Sequence, residues 1–115
     1  MKNPRPHFSG SARLVRDAIG RGITHLDDPR FPPDLAVTFV KLAKGGSQAV
    51  IGVSGTTKKQ KTVLHALGKA SRYLAERELA GLRLRRIPKM TFVWDDSVEK
   101  AFVMDQLLKK GVSDD

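Results

Sequence analysis

Residues 58–97 run KKQKTVLHALGKASRYLAERELAGLRLRRIPKMTFVWDDS. This stretch changes its apolar period part-way, and the change decides the fold. Up to about Leu79 the apolar residues recur every three or four positions. At 100° per residue, Val63, Leu67, Ala70 and Leu74 fall on one narrow arc of a helix, its core face. Gly81 ends that pattern. The period then drops to two, with Met90, Phe92 and Trp94 alternating with Thr91 and Val93, which predicts a strand over roughly Arg85–Trp94. Pro88 lies near its start, where a missing N–H is tolerated. Burial of Met90, Phe92 and Trp94 against helices is the expected use of that face; stacking on bases is the alternative.

The helix carries a second arc. Lys58, Lys61, His65, Lys69 and Arg72 fall within about 80° of one another, nearly opposite the core face. An outward face is expected to be polar, but an ordinary solvated face mixes signs. This one meets no acid until Glu76. Between Lys58 and Lys89 there are ten basic residues against two acids, Glu76 and Glu78, so this window supplies +8 of a whole-chain net charge of +9. Such a concentration, with no catalytic set beside it, points to an anionic polymer, and nucleic acid is the natural candidate.

The candidate contacts are therefore Lys58, Lys59, Lys61, Lys69 and Arg72 on the helix. Arg83, Arg85, Arg86 and Lys89 join them at the strand entrance; they continue the basic stripe in sequence, which favours RNA contact over the alternative, solvation and protection of a sheet edge. Arg13, Arg16 and Arg21 of the first helix divide evenly between solvation and contact. Tyr73, beside the basic stripe, is a further candidate for stacking.

Working outward, residues 1–10, with Pro4, Pro6 and Gly10, read as a flexible lead. Ser11 is placed to cap a helix to about His25, with Val15, Ile19 and Ile23 on one stripe. Gly20 and Gly22 each weaken it by roughly 1 kcal/mol relative to Ala. The Asp27-Asp28-Pro29-Arg30 and Pro32-Pro33 segments turn the chain. Leu35–Leu42 and Gln48–Ser54 read as two strands joined by a hairpin loop at Ala43–Ser47. Thr57 and Gln60 fit a capping box. Ser97 is placed to cap a last helix with Val98, Ala101, Phe102, Met104 and Leu108 inward, and residues 111–115 form a short tail.

Gly52-x-x-Gly55 matches the Gly-x-x-Gly by which KH domains clamp a nucleotide backbone. It joins a strand to a helix rather than two helices, so a permissive turn is the expectation. The N–H groups of Gly55, Thr56 and Thr57, before a helix bearing Lys58 and Lys59, are candidates to hold one phosphate.

At 115 residues, 40% of them hydrophobic, the chain fits one domain, taken as 11–110. Without cysteine, disulfides, thiolate catalysis and Cys-based zinc sites are excluded. The histidines have no ligand spacing, Ser54 has no base partner, and Asp27-Asp28 and Asp95-Asp96 read as turn and helix-start residues. The expectation is a non-enzymatic cytoplasmic monomer without cofactor, metal or membrane span. The order helix, strand, strand, helix, helical extension, strand, helix is that of an α+β, type II KH-like fold, α-β-β-α-α-β with a C-terminal helix and a three-stranded sheet.

Three pieces resemble the ribosome-binding factor A family of bacterial small-subunit maturation factors. One is Asp28-Pro29-Arg30 closing the first helix. The second is the lead and strand in which Leu84, Arg85, Pro88, Phe92, Asp95 and Ser97 match the pattern Leu-Arg-x-x-Pro-x-x-x-Phe-x-x-Asp-x-Ser. The third is the final helix, with Ala101, Met104, Asp105, Leu107 and Leu108. The chain departs from the family's Ala-x-Gly kink, having Ala70-Ser71-Arg72 instead, and has Gly45-Gly46 where members often carry an acidic residue and more bulk, so the resemblance implies no function for that loop. The resemblance implies binding to the immature 30S subunit and its 16S rRNA, assistance to late rRNA maturation, and a tie to growth in the cold. Two other readings remain: a basic adaptor for an acidic protein, and a generic nucleic-acid-binding regulator.

Overall fold

A computed structural model describes residues 5–97, 105, 106 and 108. Helix α1 spans Arg5–Thr24, strand β1 Ala36–Ala43 and strand β2 Gln48–Ser54, with a tight turn at Lys44–Gly46 between the strands. Helix α2 spans Gln60–Leu74, continues through a π-helical turn at Ala75–Leu79, and is followed by strand β3, Lys89–Trp94. The sheet order is β1-β2-β3. β1 and β2 are antiparallel, as a short turn permits; β2 and β3 are parallel, which requires the crossover that α2 provides. This is the α+β, three-stranded arrangement expected from the element order.

Alternation along the strands gives the sheet two faces. Ala49, Ile51 and Val53 of β2 and Met90 and Phe92 of β3 are buried beneath the helices. Helix α1 lies over β1, α2 lies over β3, and the π turn reaches back to α1. The arc predicted as the core face of α2 is that face: Val63, Leu67 and Leu74 are fully buried. Burial of each leucine contributes about 1.5–3 kcal/mol. On the opposite sheet face the Phe39 ring lies flat against Gly52. A Cβ built on Gly52 would stand 2.1 Å from a Phe39 ring carbon, so this glycine serves a close approach rather than a turn.

Several boundaries differ from expectation. Helix α1 starts at Arg5, so residues 5–10 are helical and Ser11 is an interior position, with Pro6 in the first turn where it is tolerated. Thr57 is not the cap of α2: Lys59 holds that position, and Thr57 Oγ1 accepts the Lys59 N–H at 3.0 Å. Helix α2 runs unbroken through Ala70-Ser71-Arg72, where the Ser71 hydroxyl donates to the Gly68 carbonyl at 2.8 Å. The departure from α geometry comes instead at Ala75–Leu79.

Strand β3 starts at Lys89 rather than Arg85. Pro88 has no N–H to offer the ladder, and the first bond is from Lys89 N–H to the Ser47 carbonyl at 2.9 Å. At the C-terminal side, Asp95 Oδ1 accepts the Ser97 N–H at 2.9 Å; the helix that Ser97 is expected to cap lies almost wholly outside the described residues. Leu108, expected inward, is 55% exposed. Val98, Ala101, Phe102, Met104, Leu107 and residues 111–115 lie outside the described residues.

Candidate nucleic-acid interface

All nine candidate cations are exposed. Among the described residues there are three ion pairs: Arg16–Asp17 at 3.4 Å, Arg30–Asp28 at 2.6 Å and Arg77–Glu78 at 3.5 Å. None involves Lys58, Lys59, Lys61, Lys69, Arg72, Arg83, Arg85, Arg86 or Lys89. The pairs sort the secondary candidates. Arg16 is answered by Asp17. Arg77 takes the space beside Tyr73, its guanidinium 5.9 Å from the ring centroid and donating to the phenol oxygen at 3.1 Å; Tyr73 remains half exposed.

The sheet sets some of these cations at its two ends and others along the helix between them. Because β3 pairs in parallel with β2, Lys89 sits opposite Gln48 and Trp94 opposite Val53. The lead into β3 therefore arrives beside the β1–β2 turn. There Arg85 and Arg86 line a cavity of about 610 Å³ with Ser11, Leu42, Lys44 and Leu84. Helix α2 runs back from the far end for about 22 Å, at 1.5 Å per residue, with Lys61, Lys69 and Arg72 exposed along it. Lys58 precedes its start at that far end, in a separate cavity of about 510 Å³ with Asp34, Thr56 and Asp95.

The far end is already occupied by protein carboxylates. Asp34 accepts the Thr56 N–H at 2.9 Å and the Thr56 hydroxyl at 2.7 Å. The Thr56 amide considered for a phosphate is thus satisfied internally. That backbone bond, followed by the hydroxyl, holds the Asp34 carboxyl below its ordinary value. Asp95 accepts the Thr38 hydroxyl at 2.6 Å, and this bond, followed by the Ser97 N–H, lowers its pKa as well. Both acids stay ionised at neutral pH and oppose an incoming anion beside Lys58.

Gly52 and Gly55 make no phosphate clamp either: Gly52 lies against Phe39 and Gly55 against Pro32 and Leu35. Neither has positive φ; among the described glycines only Gly45 and Gly46 do.

The motif positions are mostly structural. Asp28 takes the Arg30 N–H at 2.9 Å and two guanidinium contacts, a local clamp that depresses the Asp28 pKa. Leu84 packs against the core, and Pro88 and Phe92 are buried. Arg30 and Arg85 are the exposed cations among them, and of the two only Arg85 has no ion-pair partner within the described residues. Lys44 was not among the sequence candidates. The available signal was topological: a hairpin followed by a crossover to a parallel third strand brings the hairpin turn beside that strand's lead.

The family model for ribosome-binding factor A matches residues 10–108. The chain belongs to that family. It is 32% identical over 88 residues to ribosome-binding factor A of Clostridioides difficile, covering 76% of this chain and 70% of that protein. The crystal structure of ribosome-binding factor A from Thermus thermophilus superposes with a TM-score of 0.68 at 29% identity, over 75% of this chain and 93% of that one. A homology model of the Thermus thermophilus factor, fitted into the cryo-EM map of its 30S complex, matches with a TM-score of 0.63 at 29% identity, over 74% and 91%. Among the described residues no cluster of three or more metal-ligating side chains occurs, and no helix is long and apolar enough to cross a membrane.

Proposed function

We propose that this chain is a non-enzymatic assembly factor. It binds the free, immature small ribosomal subunit through its 16S rRNA, aids late maturation of that RNA, and leaves before translation. In this reading it works as a cytoplasmic monomer with a KH-like RNA-binding domain, and the growth defect of cells lacking it is greatest in the cold. The observation that supports it is the set of exposed cations along α2 and the β3 lead that have no carboxylate partner within the described residues. The family membership and the 30S complex named for a Thermus relative support the small subunit as its partner.

Lys61 and Lys69 act as point charges on phosphates, whereas Arg72, Arg85 and Arg86 fork onto phosphates or stack on exposed bases. Affinity comes mostly from the backbone and specificity from RNA shape.

The test is sucrose-gradient fractionation of cell lysate. The protein should travel with free small subunits and be absent from translating ribosomes. Lys61→Glu combined with Lys69→Glu should remove it from the subunit fraction and flatten the salt dependence of binding, with the melting temperature retained. Unchanged association across a salt series would overturn this surface; association that survives ribonuclease would favour the protein adaptor.

A further inference from the structure

The cavity at the turn end goes beyond a phosphate-binding surface, because apolar side chains line it beside the cations. Leu42 and Leu84, both half-buried, line it together with exposed Lys44, Arg85 and Arg86, and no carboxylate is among the described lining residues. Its volume, about 610 Å³, lies within the roughly 300–1,000 Å³ typical of small-ligand sites. Apolar side chains and cations lining one cavity match a flat aromatic base with its phosphate.

The walls are held in place. The Lys89 N–H donates to the Ser47 carbonyl at 2.9 Å, tying the β3 lead to the hairpin. Ser47 in turn donates its hydroxyl to the Lys44 carbonyl at 2.8 Å, closing the turn. Lys44 has φ +54, the only non-glycine residue with positive φ among those described. Such a conformation costs roughly 1–2 kcal/mol, and strained residues of this kind cluster at ligand sites.

We propose that this cavity receives one unstacked nucleotide of single-stranded RNA. The base enters over Leu42 and Leu84, a guanidinium of Arg85 or Arg86 lies against its face, and Lys44 takes an adjacent phosphate. Arginine planes and aromatic rings are the usual platforms for splayed-out bases. The proposal rests on the rRNA-binding reading above and gives it a point of single-strand recognition.

The test uses the full chain and an unstructured hexaribonucleotide carrying one 2-aminopurine, whose emission rises when it leaves the stack. Wild type should bind it with increased emission. Arg85→Gln with Arg86→Gln should weaken binding about tenfold and reduce the slope of log K against log salt by no more than about 0.7, the value for one phosphate contact on a single strand, because the other guanidinium lies on the base. Ser11→Trp, which fills the cavity from its α1 wall without changing charge, should weaken binding at least about fivefold, abolish the emission gain and leave the salt slope unchanged.

Melting curves of each variant confirm that it is folded. Full emission and affinity in a folded Ser11→Trp variant would overturn the proposal. So would adenosine monophosphate binding as tightly as the hexamer, which would make the cavity a free-nucleotide site. If Ser11→Trp has no effect while Lys61→Glu with Lys69→Glu still abolishes subunit association, the cavity assignment fails and the subunit reading stands. Loss of wild-type subunit association itself would fail the latter.

Discussion

The two ends of the sheet carry similar cations and opposite surroundings. At the β2–α2 end, Lys58 shares its cavity with Asp34 and Asp95, both held ionised by hydrogen bonds. At the turn end, Lys44, Arg85 and Arg86 share theirs with apolar side chains and, among the described residues, with no carboxylate. The difference teaches that a count of basic residues does not locate a binding site. What matters is where the chain returns its acids, because an internal carboxylate competes for the same cation and N–H groups that an external phosphate needs.

Charge reversal at each end in turn is the sharpest way to break this comparison. Arg85→Glu should weaken RNA binding about tenfold near 0.1 M salt and reduce the salt slope, whereas Lys58→Glu should cost less than about threefold. Filter binding across a salt series measures both, and equal losses would erase the distinction between the ends.

A substitution between the ends separates fold from site. Gly52→Ala places a methyl group inside the Phe39 ring position and should cost about 1–3 kcal/mol, the usual range for overpacking. Denaturant titration gives that figure. The folded fraction should bind RNA as wild type does at low temperature; a large affinity defect there would mean that the open sheet face itself contacts RNA.

The smallest effect concerns pH. The native pKa values of Asp34 and Asp95 lie below the ordinary 3.8. Their stabilisation is therefore complete above the unfolded value and is lost as pH falls through the lower native value. The melting temperature of wild type should fall below about pH 4, and Asp34→Asn should fall less steeply over the same window. Parallel curves would show that Asp34 gains nothing from Thr56.

Local periodicity made much of this legible beforehand. The two arcs of α2 were readable because 100° spacing is a property of neighbouring residues, and β2 has the predicted bounds, Gln48–Ser54. Helix α1 starts at Arg5, earlier than Pro6 and Gly10 suggest as breakers, because proline is acceptable in a first helical turn. The start of β3 moved to Lys89 because Pro88 withholds a ladder donor. The cap at Thr57 failed because its hydroxyl found the nearer Lys59 amide.

The amino-acid order by itself determined which faces are apolar, how many strands form, and how much positive charge the middle of the chain carries. Each of these follows from interactions between residues a few positions apart. Only the folded arrangement decided that Asp34, twenty-two residues before Thr56, occupies that amide, and that Lys44 meets Arg85 and Arg86 around one cavity. Those juxtapositions depend on strand order and on the direction of the crossover, and electrostatic force falls with distance through space, not along the chain.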